Sequence, residues 1–222
     1  MASLDGMPRV CIAGSRGVFL DAAGTRFSTP VQRRILALAR AVGQIPGVRE
    51  LVPGMNNVLV VYEPRQISPT VLCGQLLALW EQVGADESTG RDIDIPVIYS
   101  TNANDDLVQI AALAQLEVDE FIRLHSEADY QVACVGAMPG FPYLSGLDPR
   151  LATPRRAVPR MRLEQGAVII GGAQAGIMPC SAPSGWHVIG RTEVRLFDAR
   201  GTSPSFLQPG DRIRFSIAGV ES

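Results

Sequence analysis

Residues 136–160, GAMPGFPYLSGLDPRLATPRRAVPR, hold five prolines and three glycines. Proline fixes φ and has no backbone N–H, so helix interiors and central strands reject it. The segment is therefore expected to run as extended chain and turns. It carries Arg150, Arg155, Arg156 and Arg160 against a single acid, Asp148, in a chain whose net charge is -2. An arginine fork grips carboxylate or phosphate through two parallel bonds, and a proline-braced backbone holds such donors at little further entropic cost. One reading is an anion site. The other is a solvated loop whose arginines pair with acids elsewhere, and charge alone favours it.

The weak negative charge gives no footprint for nucleic acid or an acidic membrane surface, which leaves small molecules and proteins as partners. No apolar run approaches the ~20 residues a membrane span requires. The start, MASLDGMPRVCIAG, lacks the positive-then-apolar layout of a signal peptide, so a cytoplasmic location is expected. Cys11, Cys73, Cys134 and Cys180 are scattered, with only His125 and His187 as possible imidazole ligands. Buried free thiols are expected rather than a metal site or disulfides. The chain contains no lysine, which removes a Schiff base, a lysine general base and a P-loop.

Along the first half, strands at Arg9–Ala13 and Val18–Leu20 precede a helix that Thr29 can cap, with Pro30 in its first turn and Val31, Ile35, Leu38, Ala39 and Val42 at helical spacing. Val48–Val52 and Val58–Tyr62 flank the turn PGMNN, and Ser68-Pro69 opens a second helix. DIDIPVIYS then alternates as a strand. That order, β-α-β-β-α-β, predicts a ferredoxin-like domain over residues 1–95. From residue 96 to 222 the pattern changes: helix in two pieces between Asn104 and His125, broken near Gln115, then short strands at Tyr130–Val135, Val168–Ile170, Trp186–Ile189, Val194–Phe197 and Arg212–Ile217. Gly/Pro turns between them suggest a barrel or sandwich, and QPGDRIRF reads as the turn and strand where a barrel closes. The fold class is α+β.

Other residues bear on the loop. Phe141 and Tyr143 put aromatic surface beside the charge, as a pocket wall or as a plug for the barrel mouth. IIGGAQAGIMP is a second glycine-rich turn where backbone amides can approach a ligand, with Gln174 as a polar contact. In SGWHVIGRT only one of Trp186 and His187 can face into a barrel, and tryptophan is the commoner choice. His187 is thus either a surface residue or a general acid or base. Ser181 and Ser184 lie nearby without a nucleophile elbow or a triad.

The succession PGFPYLSGLDPRLATPRRAVPR, IGGAQAGIMP, GWHVIGRT, LFD and PGDRIRF, with VPGMNNVLVVY near the start, resembles the allophanate hydrolase subunit 1 or KipI family over nearly the whole chain, most of all the branch that holds the B subunit of 5-oxoprolinase. The resemblance implies a ferredoxin-like domain followed by a cyclophilin-like β-barrel. It implies a homologous partner, like allophanate hydrolase subunit 2 or the C subunit of 5-oxoprolinase, that completes a joint active site. It also implies a separate A subunit of 5-oxoprolinase and an ATP-dependent opening of 5-oxoproline to glutamate, with Mg and with no covalently bound cofactor. Under it Arg155, Arg156 and Arg160 bind anions, Phe141 and Tyr143 form a wall and Gln174 makes a polar contact. The alternatives are the carboxyltransferase half of a urea carboxylase-like system, whose biotin must arrive on another protein since this chain has no lysine, and a module that inhibits a sensor histidine kinase. The usual YGGxxGPDL stands here as YSTNANDDL, and GFxPGF begins as GAMPGF with Ala137 in place of an aromatic. VPAGSV is LEQGAV with Glu164, QTGIYP is QAGIMP with Ala175 and Met178, and PGGW is PSGW. These changes fall in site-forming loops and not in the predicted cores.

Overall fold

The computed structural model describes residues 7–84 and 90–222. The expected absence of a signal peptide rests partly on residues outside that range. The chain forms two compact units that divide between Thr89 and Gly90.

In the first unit, β1 (Arg9–Ala13) and β2 (Gly17–Asp21) form a hairpin that turns at Gly14, whose φ of 66° favours glycine. Helix α1 (Thr29–Val42) follows, then β3 (Val48–Pro53), β4 (Asn57–Tyr62) and α2 (Pro69–Gln82). Ser28, not Thr29, caps α1: its backbone is extended and its Oγ accepts the Val31 N–H, as Ser68 Oγ accepts that of Val71 for α2. The sheet order is β1-β2-β4-β3, antiparallel throughout. Val18, Leu20, Val58 and Val60 from the strands meet Ile35, Leu38, Leu72 and Leu76 from the helices in one core. β4 thus lies between β2 and β3, the two strands that α1 connects, but the place beside β2 belongs to β1.

The expected last strand of that sheet lies elsewhere. β5 (Asp92–Ser100) is part of the second unit, where it pairs in parallel with the long C-terminal strand from Asp92↔Arg212 to Ser100↔Glu221. Asp211, 3% exposed, fixes this pairing from its start by accepting the Arg91 N–H and guanidinium. Helices α3 (Leu107–Leu113) and α4 (Val118–Glu127) come next, separated near Gln115 at φ 57° as expected. Then follow β6 (Tyr130–Val135), β7 (Pro142–Ser145), β8 (Arg160–Leu163), β9 (Ala167–Gly171), β10 (Gln174–Ile177), β11 (Ala182–Ser184), β12 (His187–Arg191) and β13 (Arg212–Glu221). Among the described residues, seven strands close a barrel in the order β10-β7-β6-β13-β5-β12-β9, and β8 and β11 form a separate ribbon.

Two expectations change here. The proline-rich segment is not loop throughout: β7 lies within it, tolerated because Pro142 is the strand's first residue, where a missing donor costs least. Val194–Phe197 is not a strand; it makes one isolated bridge, Phe197↔Ser205, while Leu196 turns into the core. Along β9, Val168 and Ile170 enter the main cluster with Ile95, Val97, Tyr99 and Phe215, whereas Ala167 and Ile169 join a smaller one with Trp186 and Phe141. The period of two sends alternate residues to opposite faces of the wall. No helix of the described residues is long and apolar enough to cross a membrane.

Candidate functional site

The arginine segment is a strap tied down along its length. Thr153 exchanges two backbone hydrogen bonds with Gly172, at 3.1 and 2.7 Å. The Pro154 carbonyl accepts from His187 Nε2 at 2.8 Å, which places the proton on that nitrogen, since a carbonyl only accepts. The Arg156 N–H donates to the Gly185 carbonyl at 2.8 Å, and Arg160 begins β8. The strap is thereby held against the β9–β10 hairpin and the approach to β12.

The three arginines part company in their contacts. Arg156 Nη1 and Arg160 Nη2 both donate to Asp106 Oδ1, at 2.5 and 2.9 Å. Asp106 is 2% exposed, and its Oδ2 accepts the Val188 N–H at 2.8 Å. One carboxylate between two guanidinium groups leaves the cluster net positive. Arg155 goes elsewhere: it is exposed, with its guanidinium carbon 5.5 Å from the Trp186 ring centroid, a distance suited to cation–π attraction. Arg155, Arg156 and His187 line a cavity of about 620 Å³ whose apolar side comes from Leu113, Ala114 and Val158. Arg160 lines a different hollow of about 250 Å³, together with Ser100, Asn102 and Glu164.

Phe141 is buried and packs edge-on to Tyr143 at 5.0 Å and to Trp186 at 5.6 Å. Of this trio Trp186 lies beneath Arg155, and none of the three is among the residues that line the cavity. The expectation for Trp186 and His187 is reversed in part. Trp186 is buried in the smaller cluster and not in the main core, while His187 is 7% exposed and faces the strap. Glycine at 171 is required because a Cβ there would sit 2.5 Å from the indole. Gln174 opens β10 opposite Gly171, and the Gly172 amide is already used by Thr153, so it offers no free donor to a ligand. Ser181 Oγ donates to Glu164, and Ser184 Oγ accepts the Trp186 N–H. Of the four thiols only Cys134 is buried, which pushes it up to about 11; Cys11 and Cys180 are exposed, contrary to expectation.

Asp106 escaped the sequence reading. Its partners lie 50 and 54 residues away, so no local pattern links them. The one trace was that DL survives at the end of YSTNANDDL, where the three glycines and the proline of the family pattern are replaced.

Residues 8–207 match the family described as carboxyltransferase domain, subdomain C and D. The chain belongs to this carboxyltransferase-domain family. It is similar to a family relative from Haemophilus influenzae that is named as the B subunit of 5-oxoprolinase, with 42% identity over 190 residues covering 86% of this chain and 89% of that protein. Among solved structures it is similar to TTHA0988, with 34% identity, a TM-score of 0.77, and coverage of 93% of this chain but 40% of that one. It also superposes on the K. lactis urea amidolyase with a TM-score of 0.78 at 20% identity, covering 99% of this chain and 15% of that one, a likeness of fold. The resemblance read from the loop motifs is borne out, and the closed seven-strand barrel is consistent with the carboxyltransferase fold.

Proposed function

We propose that this chain is one subunit of an ATP-dependent 5-oxoprolinase that opens the lactam of 5-oxoproline to glutamate in the cytoplasm. Its first unit reads as a ferredoxin-like arrangement with β1 in place of the usual last strand, and its barrel as cyclophilin-like. It acts only with a homologous protein, like allophanate hydrolase subunit 2 or the C subunit of 5-oxoprolinase, and with a separate A subunit. The observation that carries the reading is the pair Arg155 and Arg156 at the edge of one cavity, on a strap fixed by its backbone, in a chain 42% identical to a protein named for that activity.

A lactam carbonyl is a poor electrophile, and ATP supplies the phosphoryl group that turns its oxygen into part of a leaving group. The chain's own contribution is positive charge held in place. Arg155 makes no ion pair among the described residues and keeps its donors for a carboxylate or a developing phosphate. Arg156 adds a second fixed cation, and His187 lines the same cavity as a candidate acid or base. Guanidinium groups fit phosphate, and magnesium, which binds through phosphate oxygens and one or two carboxylates, is assigned to the assembled complex together with ATP.

ADP release should be measured with and without 5-oxoproline, first for the chain alone and then with both other subunits. The reading expects substrate-dependent ADP and glutamate only from the complete set. Absence of turnover in that set would defeat it. Carboxyl transfer to urea from biotin on another protein would favour the second reading, a carboxyltransferase half, which the family description supports.

A further inference from the structure

We propose that Asp106 is the positioning residue of this site: a buried carboxylate that fixes how Arg156 presents its guanidinium to the cavity. The inference rests on the reading of that cavity as the anion site.

Asp106 stands at the N-cap of α3, yet its side chain makes no capping bond to the helix. Its carbonyl accepts the Ile110 N–H of the helix, while its N–H and carboxylate are spent on β12 and the strap. The Asp106 N–H donates to the Val188 carbonyl at 2.8 Å while Oδ2 accepts the Val188 N–H at 2.8 Å, so the residue stands in for a strand partner. It does so where β12 is irregular against β9, between Val188 and Gly190. With Oδ2 anchored, the carboxylate plane is set and Oδ1 has one direction left, toward Arg156 and Arg160.

The result is an arginine held by one end. Arg156 bonds Asp106 through Nη1, its side chain is 29% exposed, and its buried Nε–H has no hydrogen-bond partner among the described residues. His187 Nδ1 is likewise buried without a hydrogen-bond partner there, 4.0 Å from Asp106 Oδ1. Two orphaned polar groups therefore flank the carboxylate at the cavity that both residues line. A long side chain on a strap would otherwise sample many rotamers; fixing it beforehand removes that cost from the reacting complex.

Charge and position predict opposite results for Asp106→Asn. If the carboxylate mattered only as a negative charge, its loss would strengthen anion binding. If it positions Arg156, the variant keeps its binding and loses turnover. In the complete complex we expect kcat to fall by roughly 10- to 100-fold, with KM for 5-oxoproline changed by less than about 3-fold. A kcat per folded protein within about 2-fold of wild type would overturn the proposal, as would a loss confined to KM. Should the Asn variant fail to fold, Arg156→Lys with Asp106 intact keeps the charge and removes the fork; it is expected to show the same kcat loss, and wild-type turnover from it would overturn the proposal. Should the wild-type complex show no turnover, the functional reading fails, and the Arg156 Nε–H resonance of the isolated chain decides this one. A sharp, slowly exchanging signal in wild type that is lost in Asp106→Asn sustains positioning; the same signal in both contradicts it.

Discussion

His125 shows what burial does to a titratable side chain in this barrel. It is 0% exposed, its Nδ1 lies 2.8 Å from Tyr99 Oη, and its ring stacks on Phe215 at 4.6 Å. Desolvation pushes its pKa from 6.5 down to about 3. Between these values the unfolded chain binds a proton that the folded chain refuses, so stability falls as pH drops through that window, by up to about 1.4 kcal/mol per pH unit. Above it the imidazole is neutral in both states and adds no slope. Urea unfolding of wild type and His125→Gln between about pH 7 and pH 5 should show the steeper loss in wild type; equal slopes would remove His125 as the cause. Gly171 tests packing in the same way. An added methyl would meet the Trp186 indole, so Gly171→Ala is expected to destabilise by about 1–3 kcal/mol and to disturb the surface on which Arg155 rests, visible as a change in tryptophan fluorescence.

The β3–β4 hairpin and α1 are joined by polar bonds that apolar patterning does not reveal. Asn56, 1% exposed and at φ 58°, donates from Nδ2 to the Ser28 carbonyl at 2.8 Å and accepts the Ser28 N–H at 2.7 Å. Its own N–H donates to Gln32 Oε1 at 2.6 Å, and Gln32 Nε2 donates to the Gly54 carbonyl at 2.9 Å. Asn56→Ala leaves buried groups unpaired and strains the turn, so the first unit should lose about 2–4 kcal/mol, read by chemical denaturation; a loss below about 0.5 kcal/mol would mean the network is redundant. Elements whose period and punctuation agree, such as α1, α2, β4 and β6, were legible in the sequence. Alternation in Asp92–Ser100 marked a strand but could not say which sheet takes it, because pairing is decided by residues 120 positions away. Pro142 hid β7, since proline's effect depends on its place within a strand.

For the chain as a whole, the family and the basic strap were legible, because both lie in contiguous motifs. The division of labour among the arginines was not. It depends on Asp106, on the Trp186 ring and on where Thr153, Pro154 and Arg156 fasten the backbone, all of them contacts between distant positions. The sequence grouped Arg155, Arg156 and Arg160 as equals; the fold leaves Arg155 unpaired with any acid among the described residues, binds Arg156 by one nitrogen and turns Arg160 to another hollow. Arg155 can therefore be removed with little effect on folding, since its one described side-chain contact is the face of the Trp186 ring. The decisive comparison is kcat/KM for 5-oxoproline-dependent ADP release by the complete complex carrying wild-type chain or Arg155→Ala, with melting temperatures taken on the same preparations. A fall of roughly 10- to 100-fold at an unchanged melting temperature is predicted. Wild-type kcat/KM from the Arg155→Ala complex would contradict the assignment of the strap to the anion site.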